Sequence, residues 1–333
     1  MRIGVDAMGG DHAPEQIVRG AVSGLELLDS DDRLVLVGRD EAIRAHLGDA
    51  AADSRIEIVD TPEVIEMDDS PVVAIRQKRN SSIAVIAKMA GEGQLDAVIS
   101  AGNTGAFAAA CQMKIKPLGP VIRPGIAVVV PSFAGPVTIC DAGANVTPKP
   151  AHLLQYGQMA TAYAEHILGI PNPRVGLISI GGEDVKGNPL IKKANELFRE
   201  DASLNFVGNV EGRELFSGAC EIGIADGFVG NVVLKLAEGV AEGIFKTLAR
   251  EVRAECQDLA KRLDPIFAKI WEKHDYSEAG GAPLLGVNGY CIICHGSSDS
   301  RAIRNAIRAA RELVSKRMNE VIAERLSEVT ADA

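Results

Sequence analysis

Aromatic residues are scarce: one Trp, four Tyr and eight Phe among 333 residues. A β-sandwich core that leans on large rings fits poorly, whereas 34 glycines suit a fold with many tight strand-to-helix turns. Positive charge is also in deficit. Lys and Arg number 35 against 45 Asp and Glu, a formal −10 with His neutral. That argues against a general nucleic-acid binder, because neutralising phosphates needs a basic surface. No stretch reaches about 18 uninterrupted apolar residues, so no spanning helix is expected. The opening Met1-Arg2-Ile3-Gly4-Val5-Asp6 lacks the apolar region of a signal peptide. The six cysteines, at 111, 140, 220, 256, 291 and 294, are then expected as reduced thiols of a cytoplasmic protein.

Signature motifs are missing too. There is no G-x-G-x-x-G, no G-x-x-x-x-G-K-[ST], no H-E-x-x-H and no G-x-S-x-G. Cys291-Ile292-Ile293-Cys294-His295 matches the haem-attachment spacing, but it sits in an apolar strand pattern with no second cysteine pair. Buried thiols ending in a loop histidine are the plainer reading.

What is present is an alternation of short β-branched runs, polar Gly-rich loops and helical patterns. Strands are expected at 2–6, 33–38, 55–60, 95–100, 174–180, 205–207, 221–225 and 290–294. A pair at 126–130 and 137–140, joined by a turn over 131–136, reads as antiparallel. Helices are expected at 40–47, 81–90, 149–168 and 231–257. Pro265 then breaks that last helix from a second one ending near Lys273, and 298–326 reads as a single final helix. This is an α/β pattern: a three-layer αβα sandwich with a mostly parallel sheet. With no repeat and no linker, residues 1–333 read as one catalytic domain, extended by a helical hairpin at about 231–275.

Ligands of such sheets bind beyond the carboxyl ends of the strands, where the Gly/Asn/Asp loops fall. His295-Gly296-Ser297-Ser298-Asp299 opens a helix whose free N–H groups and dipole suit an anion; alternatively, Ser298 or Asp299 only caps it. Lys186-Gly187-Asn188-Pro189 offers a cation beside another helix start, or a capped surface helix. Four further loops pair glycine with Asp or Asn: Asp6–His12, Gly102-Asn103-Thr104-Gly105, Asp141–Asn145 and Asp226–Asn231. Together they read as one polar cleft suited to phosphate or a carbonyl, without a carboxylate cage for a metal. Arg301, Arg304, Arg308 and Arg311 share a face of the last helix, either as a solvated stripe or as a guide for an acidic partner. The hairpin tip, Leu259–Trp271, sets Leu263, Ile266, Phe267, Ile270 and Trp271 beside Lys261, Arg262, Lys269 and Lys273, a pattern able to touch a membrane surface.

The chain resembles the PlsX family from residue 2 to about 320. The resemblance is carried by Arg2–Asp11, Ser100–Gly105, Asp141–Asn145, Asn209-Val210-Glu211-Gly212-Arg213, Asp226–Asn231, Gly280–Gly286 and His295–Asp299. The family commonly has acidic residues where this chain has Thr147 and Gly182, so no carboxylate role falls at either position. The resemblance implies a fold similar to phosphotransacetylases and isopropylmalate-type dehydrogenases. It implies transfer of an acyl group from acyl carrier protein to inorganic phosphate, giving an acyl phosphate for a PlsY-type membrane glycerol-3-phosphate acyltransferase. It also implies a homodimer peripherally attached to the inner face of the cell membrane.

That chemistry needs no covalent intermediate, cofactor or metal. Ser297, Ser298 and the helix start would hold phosphate, helped by Arg301 or Lys186. His295 or Lys186 would stabilise the oxyanion or protonate the leaving thiol. Asn103, Thr104, Asn145, Asn188 and Asn231 would orient the groups, with donors positioned by Asp6, Asp141 and Asp226. The alternatives are a phosphotransacetylase using a short acyl-CoA, a nicotinamide dehydrogenase and a non-catalytic membrane scaffold.

Overall fold

The computed structural model describes residues 1–255, 257–274 and 280–331; Cys256 and the side chains of Leu259, Trp271 and Lys273 lie outside the described residues. The chain runs β1 (Arg2–Asp6), α1 (Glu15–Gly24), β2 (Arg33–Gly38), α2 (Asp40–Leu47), β3 (Ile56–Asp60), α3 (Pro71–Gln77), α4 (Ser82–Gly91), β4 (Ala97–Ser100) and α5 (Thr104–Lys114). It continues through β5 (Gly125–Ser132), β6 (Gly135–Cys140), α6 (Pro150–His166), β7 (Arg174–Ser179), α7 (Pro189–Glu200), β8 (Asn205–Glu211), α8 (Gly212–Leu215) and β9 (Ile222–Ile224). It closes with α9 (Gly227–Glu255), α10 (Gln257–His274), β10 (Ala282–Leu285), β11 (Tyr290–Ile293), α11 (Ser300–Ser315) and α12 (Met318–Ala331).

One 11-stranded sheet carries the chain, in the order β3-β2-β1-β4-β11-β10-β5-β6-β9-β7-β8. β1, β2 and β4 are short apolar runs buried on both faces, as a sheet covered on both sides requires. Pairing is parallel within β3-β2-β1-β4-β11 and within β6-β9-β7-β8. At the centre β11/β10, β10/β5 and β5/β6 are antiparallel. Two apolar clusters fill the sandwich. One face packs Ile17, Ile43, Tyr156, Ile191 and Ile303 from α1, α2, α6, α7 and α11. The other packs Ile75, Ile86, Phe107 and Leu234 from α3, α4, α5 and α9.

The antiparallel centre corrects one expectation. The two parallel halves run in opposite directions, so their carboxyl ends, and the loops that follow them, point to opposite edges of the sheet. The six polar loops therefore form two groups. Three element boundaries also differ. Arg317, held at φ 51°, splits the final helix into α11 and α12. Pro265 lies inside α10 and does not break it; the neighbouring Asp264 and Ile266 are exposed, so water can take the carbonyl that Pro265 leaves without a donor. Finally, β10 is a fully buried four-residue run, too short for alternation to reveal.

Candidate active site

In the first loop group the aspartate of β1 ties two loops together. Asp6 is fully buried; it accepts from Ser100 Oγ at 2.6 Å and from the Met8 N–H at 3.2 Å. Burial raises its pKa above the usual carboxylate value, against these hydrogen bonds and one from Ser82. Gly9 permits this closeness, because a Cβ there would lie 2.6 Å from the Gly102 nitrogen. Asn103 caps α5 through the Ala106 N–H at 3.0 Å. Its amide donates to the carbonyls of Glu66, Met67 and Asp69. Asp6 and Asn103 thus shape the site and spend their hydrogen bonds on the chain itself, leaving Thr104 exposed at the α5 start.

The second group repeats the device. Asp141, fully buried, accepts from the N–H groups of Ile126, Gly143, Ala144 and Asn145 at 2.6–3.1 Å. Desolvation raises its pKa as well. Asn145 donates to the Pro124 carbonyl at 2.7 Å and accepts the Gly227 N–H at 2.8 Å through its own carbonyl. Asp226 uses Oδ1 to bind the N–H groups of Phe228 and Val229, the first turn of α9.

The long helix α9 connects the groups. It starts on the second and lays its first three turns over the central strands. A cleft of about 110 Å³ opens there, lined by Thr104, Ala142, Asn231, Lys235, Glu238 and His295 over the strand residues Ile126, Val128 and Ile293. Thr104, Asn231 and His295 are therefore brought together from three separate stretches. Lys235 and Glu238, paired at 3.0 Å, join them unforeseen. The available signal was their spacing: 231, 235 and 238 share one face of a helix read only for its apolar stripe.

His295 stands at the exposed rim of this cleft. Its Nδ1 accepts from the Ser297 N–H at 3.3 Å and lies 2.7 Å from Ser297 Oγ, which assigns the ring proton to Nε2. Partial desolvation, then Lys235, lower its pKa, while Glu238 and Asp11 pull the other way. The ring is thus neutral at pH 7. The folded state resists its protonation, so stability is expected to fall as pH drops below the ordinary imidazole value of about 6.5. If the neutral ring is the working form, kcat/KM falls over the same acidic range, which a pH profile read beside a thermal melt checks.

The helix start beyond Ser298 is already occupied. Asp299 caps α11 through the Ala302 N–H at 2.9 Å, and Gln16 Oε1 takes the Ser300 N–H at 3.3 Å. Ser298 is buried, with its N–H on the His295 carbonyl. A carboxylate therefore sits where the sequence suggested an anion, and the capping alternative describes the geometry. Arg301 is exposed, outside the cleft lining. Along the same helix Arg304 binds Glu26, and Arg311 binds Asp29 and the Leu27 carbonyl, so the basic stripe is largely spent within the chain.

Lys186 is exposed in the loop after β7, five strand spacings from β11, or about 24 Å along the sheet. Asn188 caps α7 through the Ile191 N–H at 2.9 Å. The structure does not bring either to His295. Cys291 and Cys294 are buried in and just after β11, and desolvation pushes the Cys294 thiol up to about 12. Among the described residues, no three His, Cys, Asp or Glu side chains gather to hold a metal ion. A second cavity of about 240 Å³ lies on the other face of the sheet, lined by Tyr163, Ile167, Pro283 and Leu313 with Arg308 and Glu312. Val129 and Gly281 line both cavities, one on each face of the sheet.

The fold is similar to a phosphotransacetylase from Streptococcus pyogenes (TM-score 0.62, 17% identity, 94% of each chain). It is also similar to the EutD phosphotransacetylase from Staphylococcus aureus (0.59, 14%, 94% of each). Likeness at these identities speaks for the fold alone. The pattern of the fatty acid synthesis protein family matches residues 1–321. A phosphate acyltransferase from Pelotomaculum thermopropionicum is 47% identical over 97% of this chain and 94% of its own length. Another, from Desulforamulus reducens, is 45% identical over 98% and 97%. The chain belongs to the PlsX family of phosphate acyltransferases. For a PlsX-family enzyme, the cleft beneath α9 is the place where the described residues bring together a cation, a neutral imidazole and apolar walls.

Proposed function

We propose that the chain transfers a long acyl group from the thioester of acyl carrier protein to inorganic phosphate in the cleft beneath α9. A phosphate oxygen attacks the thioester carbonyl, the C–S bond breaks, and the products are an acyl phosphate and the free thiol of the carrier. The observation that carries this reading is the convergence of Thr104, Asn231, Lys235 and His295 on one small cleft. Lys235, steadied by Glu238, supplies positive charge for phosphate. Neutral His295 offers Nε2–H to the carbonyl oxygen as negative charge develops, and the departing sulfur takes the proton that the phosphate nucleophile gives up. Asn231 and Thr104 orient the two substrates. Lys186 and Arg301 remain candidates only if a second copy of the chain or a movement brings them to the cleft.

The product would feed a PlsY-type membrane glycerol-3-phosphate acyltransferase. Among the described residues no helix is long and apolar enough to cross a membrane. A cytoplasmic enzyme held at the inner membrane face is the reading we favour. It is supported by Ile266 and Ile270, exposed on α10 beside Lys261, Arg262 and Lys269. A homodimer is supported by the exposed row Val232, Leu236, Val240, Ile244 and Leu248 along α9.

The test is to incubate the protein with long-chain acyl carrier protein and phosphate and trap acyl phosphate as a hydroxamate, with acetyl-CoA in parallel. Phosphate-dependent hydroxamate from the carrier substrate alone is the expected result. Hydroxamate from acetyl-CoA alone would make the chain a phosphotransacetylase. No product in either tube, from folded protein, would sink the catalytic reading and leave the scaffold.

A further inference from the structure

Positive charge is distributed unevenly along this acidic chain. From Ala97 to Ala164 there are four cations, Lys114, Lys116, Arg123 and Lys149, and a single carboxylate, the buried Asp141. All four cations are exposed. Among the described residues none of them pairs with a carboxylate, in contrast to Arg304 and Arg311. The fold gathers them at one edge. Arg123 reaches Gln112 of α5, two residues before Lys114. The Ile122 N–H and the Pro120 carbonyl both bind Gln155 of α6. The Pro124 carbonyl takes the amide of Asn145, and Arg123 and Lys149 both bear electrostatically on His152. Met113, Ile122 and Val146, each about half exposed or more, lie among these cations.

The patch flanks the cleft along the chain: Arg123 and Val146 stand three and four residues from Ile126 and Ala142, which line the cleft wall. An apolar centre ringed by unpaired cations on a chain of net −10 is complementary to an acidic protein surface with an apolar spot. We propose that this edge docks the acidic face of the carrier protein, so that its thioester enters the cleft from the Asn231 end. The proposal rests on the carrier-protein reading above.

The experiment is Arg123→Glu/Lys149→Glu, at two exposed positions away from the cleft lining, with a thermal melt confirming the fold. Carrier-protein binding is measured directly by titration over a salt series. Turnover is measured in parallel with acyl carrier protein and with acyl-pantetheine, the same thioester without the protein. Expected are at least about tenfold weaker carrier binding and a matching rise in KM for the carrier substrate. Turnover of acyl-pantetheine stays unchanged, and the salt sensitivity of binding is lost. Unchanged carrier binding overturns the proposal. So does an equal loss with both donors, a switch from dimer to monomer, or loss of binding to anionic vesicles with carrier binding intact. Charge-dependent carrier binding without any acyl phosphate from either donor would keep the docking edge and defeat the catalytic reading.

Discussion

Replacing His295 with alanine should lower kcat by about 100-fold or more, the scale of losing one hydrogen-bond donor to a developing oxyanion. It should leave the melting temperature nearly unchanged, because the ring stands at an exposed rim and its bonds to Ser297 are local. Lys235→Met separates the two roles. Removing that ammonium takes away one of the two influences holding the His295 pKa down, so the imidazole titrates closer to its ordinary value. The acidic limb of the pH profile should therefore move to higher pH. The KM for phosphate should rise by about tenfold or more, on the scale of one charge-assisted hydrogen bond. A limb that stays in place would mean that another group titrates. An unchanged KM would place phosphate elsewhere, and Lys186 would again be the leading cation.

Most strands were legible because each is a β-branched run bounded by Gly, Asp or Asn, and the 126–140 hairpin announced itself by its turn. Relative strand direction was not legible. β10, antiparallel to both β11 and β5, leaves those two aligned, so the reversal between the halves falls at the β5/β6 hairpin, and no local pattern encodes that this hairpin stands between the halves. The same gap explains the site. Loop chemistry singled out Asp6, Asn103, Asp141, Asn145, Asn188 and Asp226, all of which use their side chains on nearby backbone groups. Residues that form tight polar loops are those that satisfy themselves locally, so the pattern that makes them conspicuous also occupies their donors and acceptors. Lys235 and Glu238 sit mid-helix, where they look like an ordinary solvated pair until α9 is placed over the sheet.

Gly230 makes the tightest contact in that placement. A Cβ at Gly230 would fall 2.0 Å from the Asp141 carbonyl oxygen and 3.0 Å from its carbon, a clash with backbone that no side-chain rotation relieves. Gly230→Ala must therefore lift the first turn of α9 from the Asp141–Asn145 loop. That would strain the Asp226 cap and the bond between the Gly227 N–H and the Asn145 carbonyl. Overpacking of this kind costs about 3 kcal/mol, read as a fall in melting temperature. Asn231, the next residue, and Lys235, one turn further on, move with the helix. Displacements of about 1 Å in a catalytic group cost on the order of 100-fold, so activity should fall well beyond what the lost stability explains at a temperature where the protein is still folded. Gly239→Ala is the control: a Cβ there meets nothing within 4 Å, and the same change should leave both quantities near wild type. Equal behaviour of the two variants would show that α9 is not seated through Gly230, and the cleft would lose the contact that sets its width.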